Sequence, residues 1–146
     1  MVPKNVHNLI KKEKIRNNKY KSFSNKYYNI YRIKDARIYT DNNENVAIIK
    51  NNFILPQISF QQVKGNLKDS RFNSVVKIGT PSFLKKIKGK VFNLCQGGSG
   101  NNYFHFIFDI IPKIHLLIYK KKLKDVDYFY LTNPKKWQIV ILKILG

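Results

Sequence analysis

Between Val91 and Tyr119 the chain carries the local pattern that most restricts its fold. A short apolar strand runs into a glycine-rich turn, and the turn opens a helix that is apolar on nearly every side. Val91-Phe92-Asn93-Leu94-Cys95 reads as the strand, Gly97-Gly98-Ser99-Gly100 as the turn, and residues 102 to 119 as the helix. A helix of this kind packs between layers. After the lysines of 120–124, Asp127-Tyr128-Phe129-Tyr130-Leu131-Thr132 reads as a second strand. Asn133 then suits an N-cap and Pro134 the first position of a last helix built on Trp137, Ile139, Ile141 and Leu142. Strand, helix, strand, helix is the opening of an α/β layer with parallel strands. Two strands alone leave such a layer incomplete. The pattern therefore predicts one of two things. Either the α/β protein continues past the last helix, or strands from residues 31–60 complete the sheet.

Those earlier residues read as a β meander, assigned here to 31–63. Ala36-Arg37-Ile38-Tyr39-Thr40 alternates and stops at Asp41-Asn42-Asn43-Glu44-Asn45. Val46-Ala47-Ile48-Ile49-Lys50 follows, then the Asn51-Asn52 turn, then Phe53-Ile54-Leu55 before Pro56. Residues 1–30 are polar and basic and read as a short helix or a loosely held arm, with Tyr27-Tyr28-Asn29-Ile30-Tyr31 as a docking cluster. Residues 64–80 read as a polar loop, and Lys85-Lys86-Ile87-Lys88-Gly89-Lys90 as a basic surface turn.

The helix after the glycines carries a polar stripe. At steps of three and four, Asn102, His105, Asp109 and Lys113 share one face. Phe104, Ile107, Phe108, Ile110, Ile111 and Ile114 fill the other faces. Polar side chains on a buried helix need hydrogen-bond partners or a cleft. Asp109 lies one turn after His105, where a carboxylate can fix the imidazole tautomer or raise its basicity. Pro112 removes a backbone donor and clashes with the Phe108 carbonyl, which predicts a kink. Ahead of the helix, Gly97, Gly98 and Gly100 permit close backbone approach, and the helix N-terminus favours an anion. The same residues also have a structural reading. The glycine turn has neither the G-x-G-x-x-G spacing nor the G-K-[ST] ending, and a His–Asp pair at this spacing can be a plain core hydrogen bond. His7 and His115 have no acidic partner at useful spacing, and Cys95 reads as a small buried hydrophobe.

Composition narrows the partners. The single cysteine excludes an intrachain disulfide and a cysteine-built zinc site. No run of about 18 apolar residues occurs, so no membrane span is expected, and neither is a signal peptide. The expected compartment is the cytoplasm. A net charge of +20 suggests a nucleic-acid partner. Against it, the basic residues are lysines in all but four cases, whereas base recognition favours the arginine fork. The enriched Lys, Asn, Ile, Tyr and Phe all have A/T-rich codons, so genomic bias accounts for the excess without a specific nucleic-acid partner.

Asn102-Tyr103-Phe104-His105-Phe106-x-x-Asp109-x-x-Pro112-Lys113 resembles the N-Y-x-H-W-x-x-D-x-L-P-R/K signature of glycosyltransferase family 61. That family includes plant xylan xylosyl- and arabinosyltransferases, animal protein O-linked N-acetylglucosaminyltransferases and many bacterial capsular polysaccharide proteins. Trp137-Gln138-Ile139-x-x-Leu142-x-x-Leu145-Gly146 is similar to a second family helix. Phe106, Ile111 and Lys113 replace the family's Trp, Leu and commoner Arg.

The resemblance covers roughly residues 35–146. It implies a partial Rossmann-like domain over 31–146, the N-terminal half of a two-domain GT-B enzyme, with 91–146 as its α/β unit. The implied activity is inverting transfer of a sugar from a nucleotide sugar to a hydroxyl of a sugar or glycan acceptor. It needs no metal and no cofactor beyond the nucleotide-sugar donor. His105 and Asp109 are the implied catalytic residues, His105 as base or acceptor ligand. Gly97, Gly98, Asn102, Tyr103 and Lys113 are the implied substrate-binding residues, with Asn102 either contacting substrate or capping the helix. The donor would be held mainly by a C-terminal domain outside this chain, which leaves the chain alone inactive. Two other readings remain open. One is a non-catalytic binding subunit that pairs with a C-terminal partner chain or with itself. The other is a basic protein associated with nucleic acid.

Overall fold

A computed structural model describes residues 10–16, 27–41, 45–63, 66–69, 73–80, 84–96, 100 and 102–145. Contacts divide the chain into two units, Met1–Ala36 and Arg37–Gly146. In the first, strand β1 (Ile10–Arg16) pairs antiparallel with β2 (Tyr27–Ile33), from Ile10 opposite Ile33 to Arg16 opposite Tyr27. The expected helix or loose arm is therefore a strand pair over its described residues. Residues 31–33 belong to this pair and not to the meander.

The second unit is a mixed α/β structure. Its antiparallel meander contains β3 (Arg37–Asp41), β4 (Asn45–Lys50), β5 (Phe53–Ile54), β6 (Phe60–Val63) and β7 (Asn66–Asp69). The strands pair in the order β3-β4-β6-β7, and β5 folds back on β4. Asn51 and Asn52 make the two-residue link between β4 and β5, both with positive φ (49° and 62°). Asparagine tolerates that conformation, and its twist suits a tight hairpin. β4 lies between β3 and β6 and is buried from Asn45 to Ile49. Ala47, Ile49 and Val75 form a small apolar core there, flanked by Tyr39 and Ile54.

Residues 60–80, most of which the sequence assigns to a polar loop, hold β6, β7 and a short helix α1 (Ser74–Ile78). Asn73 fixes this helix against the sheet. Its Oδ1 accepts from Val75 N at 3.1 Å, capping the helix. Its Nδ2 donates to the carbonyl oxygens of Val46 at 3.2 Å and Phe60 at 3.0 Å. The residue is fully buried, so these polar groups have no access to water.

The rest of the unit runs β8 (Val91–Asn93), a helical stretch Tyr103–Tyr119, β9 (Tyr128–Tyr130) and helix α4 (Lys136–Ile144). β8 and β9 pair in parallel, Val91 opposite Tyr128 and Asn93 opposite Tyr130. Their two-stranded sheet is separate from the meander, so the earlier strands do not complete it by ladder hydrogen bonds. Leu94, Phe106, Ile110 and Ile114 form its core, packed by Phe92, Leu131, Trp137 and Ile141 among others. Asn133 does not cap α4. It takes a left-handed conformation (φ 44°), and the helix starts later, with Lys135 as its cap residue. The buried Gln138 turns back there, and its Oε1 accepts from Lys135 N at 2.8 Å.

The Asn73 contacts yield a stability prediction. Asn73→Ala removes a helix cap and one hydrogen bond from each of the Val46 and Phe60 carbonyls, at an expected cost of about 2–4 kcal/mol. Urea unfolding of the two proteins measures this directly. A change within ~0.5 kcal/mol would mean that α1 is not anchored by this side chain.

Candidate functional site

The helical stretch after the glycines is built in three parts: α2 (Tyr103–His105), a wide turn Phe106–Ile110 and α3 (Ile111–Tyr119). In the wide turn the Ile111 N–H reaches back five residues to the Phe106 carbonyl. Pro112 is the physical cause. An α-helical ladder would need a donor it does not have and would press its ring on the Phe108 carbonyl. Widening the preceding turn places the proline in the first turn of α3, where its missing N–H costs little. The expected kink is thus met by a π-type bulge, a feature found often at functional sites.

The bulge carries Asp109 and leaves it bonded to His105. His105 Nδ1 lies 2.8 Å from Asp109 Oδ2, and each side chain is about one-third exposed (33%). The other predicted residues have different fates. Asn102 caps α2, its Oδ1 accepting from His105 N at 3.3 Å. This orients the start of the helix and occupies one of its acceptor sites. Tyr103 is exposed and its ring lies 5.1 Å from that of Trp137. Lys113 continues the stripe one turn beyond Asp109, and its Nζ donates to the Cys95 carbonyl oxygen at 3.4 Å. Desolvation lowers the Lys113 pKa from 10.5 to about 8, partly offset by Cys95 and by the Asp109 carboxylate. Gly97 and Gly98 lie outside the described residues.

Two features were not visible as sites in the sequence. The first is a polar seam beside Lys113. Thr40 on β3 meets the Tyr130 hydroxyl at 2.9 Å and the Thr132 hydroxyl. Cys95 Sγ lies 3.3 Å from Thr132 Oγ1 and accepts from Thr132 N at 3.3 Å. Cys95 is buried, as expected, with its sulfur beside the Thr40 and Thr132 hydroxyls. This seam joins the meander to the β8–β9 layer. Its contacts join residues 37 to 92 positions apart in sequence, so no local motif announces it.

The second is an aromatic pair. Phe104 and Phe108, expected to be buried, are 61% and 62% exposed. Their rings are 4.6 Å apart, and Phe104 meets the His105 ring edge-on at 5.8 Å. The helix buries Phe106, Ile110, Ile114 and Leu117 and leaves this side uncovered.

The chemistry of the dyad follows from its geometry. With Nδ1 engaged by the carboxylate, Nε2 is the ring nitrogen left to meet a hydroxyl group. Among the described residues, no three His, Cys, Asp or Glu side chains are placed to hold a metal ion. Nor is any helix long and apolar enough to cross a membrane. No family model, no curated protein and no solved structure matches the chain significantly.

Lys113 gives this site a pH signature. An amine whose folded pKa is lowered binds fewer protons than the unfolded chain between about 8 and 10.5, so unfolding free energy should rise with pH across that window. Lys113→Met should remove the rise while leaving the acid side of the profile in place. Chemical unfolding at pH 7.5 and 10 distinguishes the outcomes, and parallel behaviour of the two proteins would show that the amine is fully solvated.

Proposed function

We propose that the His105–Asp109 face is the acceptor-activating wall of a sugar-transfer site, acting in inverting transfer from a nucleotide sugar to a hydroxyl. The observation that carries the reading is the 2.8 Å His105–Asp109 contact on a partly exposed helix face, set inside the Asn102–Lys113 segment that resembles the family 61 signature. In this reading His105 Nε2 takes the acceptor O–H proton as the acceptor oxygen attacks the anomeric carbon. The bond from that carbon to the diphosphate breaks, and the nucleoside diphosphate leaves with the electron pair. Asp109 holds the ring in the tautomer that leaves Nε2 unprotonated and then stabilises the cation. Tyr103 and Lys113 are assigned to acceptor binding. Donor binding is assigned mainly to a second domain or chain that completes a GT-B-like cleft.

A second reading, a non-catalytic binding subunit, is favoured by the outer face of α4. Ile139, Val140 and Ile144 are 40%, 54% and 77% exposed there. It predicts assembly that is indifferent to His105.

The two readings separate by mutation. The chain, together with whatever partner copurifies, is assayed with a panel of nucleotide sugars and hydroxyl acceptors, and the anomeric configuration of the product is read by NMR. His105→Ala should reduce turnover by about 10²–10⁴-fold. Asp109→Asn should also reduce it strongly, because the amide can donate to Nδ1 and leave the proton on Nε2. Undiminished transfer by His105→Ala, or a product of retained configuration, would defeat the assignment.

A further inference from the structure

The parallel pairing of β8 and β9 has a consequence for charge. Parallel strands begin side by side, so the loops that feed them lie at one end of the sheet. One is residues 84–90; the other is 120–127, which returns from the end of α3. They are joined directly: Asp127 N and Tyr128 N both donate to the Lys90 carbonyl oxygen, at 2.9 and 3.1 Å, and Lys90 N donates to Asp127 Oδ2 at 2.6 Å. Gly89 permits the approach. Its φ is +136°, and a Cβ there would lie 2.9 Å from the Tyr128 ring.

These two loops hold eight lysines against two aspartates, Asp125 and Asp127, and no arginine. Lys85, Lys86, Lys88 and Lys90 are exposed on the first loop, and Lys121 and Lys124 on the second. Apolar side chains stand among them in the open. Leu84 is 50% exposed and Ile87 45%, and at the end of α3 Ile118 is 46% exposed. Tyr119 (46%) and Tyr128 (50%) add two amphipathic rings.

We propose that this pole docks on an anionic phospholipid surface. Lysines near such a surface gain from its negative potential, and their aliphatic stems reach it without burying the charge. Exposed Leu and Ile gain by entering the headgroup boundary, where Tyr also partitions. A nucleic-acid backbone would satisfy the lysines but offers the aliphatic side chains nothing, and its recognition favours arginine. The surface adjoins the C-terminal end of α3, whereas His105 and Asp109 lie in the first half of the Tyr103–Tyr119 stretch. The inference does not rest on the transfer reaction.

The test is flotation of the intact chain with vesicles of phosphatidylcholine alone or with about one-third phosphatidylglycerol, across a salt series. Binding is expected only with the anionic lipid and should weaken as salt rises. Lys86→Glu/Lys88→Glu should lower the partition coefficient by at least about tenfold. Lys135→Glu/Lys136→Glu makes the same change in net charge away from the pole and should lower it much less. Ile87→Ala, which leaves the charge intact, should weaken binding at fixed salt. Ile87→Trp should show an emission blue shift on anionic vesicles. Equal losses from the two charge reversals would reduce the effect to net charge and overturn the proposal. So would equal binding to both lipids, or Ile87→Ala binding unchanged while a single-stranded RNA competes the vesicles away.

Discussion

Pro112 has no N–H to give, and much of the second unit follows from that. The helix cannot continue as a plain α-ladder through Phe108, so the turn before the proline widens. Widening redistributes the side chains around the axis. Phe106 and Ile110 go to full burial against Leu94 and Trp137, while His105 and Asp109 stay together on the solvent side. The buried phenyl ring is a large apolar contribution, about 2–3 kcal/mol relative to exposure, and it anchors a backbone whose hydrogen bonding is locally irregular. The His105–Asp109 pair is thereby placed by a defect whose cost the core beneath it offsets.

Around that helix the polar groups divide by task. Asn102 and Gln138 are occupied with capping helix N-termini. Lys113 extends into the protein toward the Cys95 carbonyl, where burial makes its charge expensive. The His105–Asp109 pair combines a defined side-chain contact with partial access to solvent. That division is why the family resemblance, which treats the whole stripe as one signature, yields unequal assignments once the side chains are placed.

What could be read from the sequence depended on range. Strands β3, β4 and β5 were legible because Asn and Asp clusters punctuate alternating apolar residues. The helix through residues 102–119 and the parallel strands β8 and β9 were legible from periodicity and glycine placement. The His105–Asp109 contact followed from helical spacing alone. β6 falls inside the assigned meander but was not picked out as a strand, and β7 was read as loop, because Gln61, Gln62, Asn66 and Lys68 give no alternation to read. The β1–β2 pair was hidden for the same reason, its first strand being nearly all lysine and glutamate between isoleucines. The exposure of Phe104 and Phe108 depends on what fails to cover them, which no local pattern encodes. Asn133 was misassigned because a good cap residue is also a good left-handed turn residue, and tertiary context chose the turn.

The seam of Thr40, Tyr130, Thr132 and Cys95 has a consequence for how the molecule comes apart. It separates two apolar clusters, one around Ala47 and Ile49 and one around Phe106 and Ile110. Side-chain hydrogen bonds between hydroxyls are worth far less than shared apolar burial, on the order of 1 kcal/mol each. At this seam the two halves meet through polar groups and not through a shared apolar cluster. Cooperative opening should follow that grain, with the meander and the β8–β9 layer protecting their amides as separate foldons. The His105–Asp109 helix packs its apolar side on the cluster of its own half, around Leu94, Phe106 and Ile110.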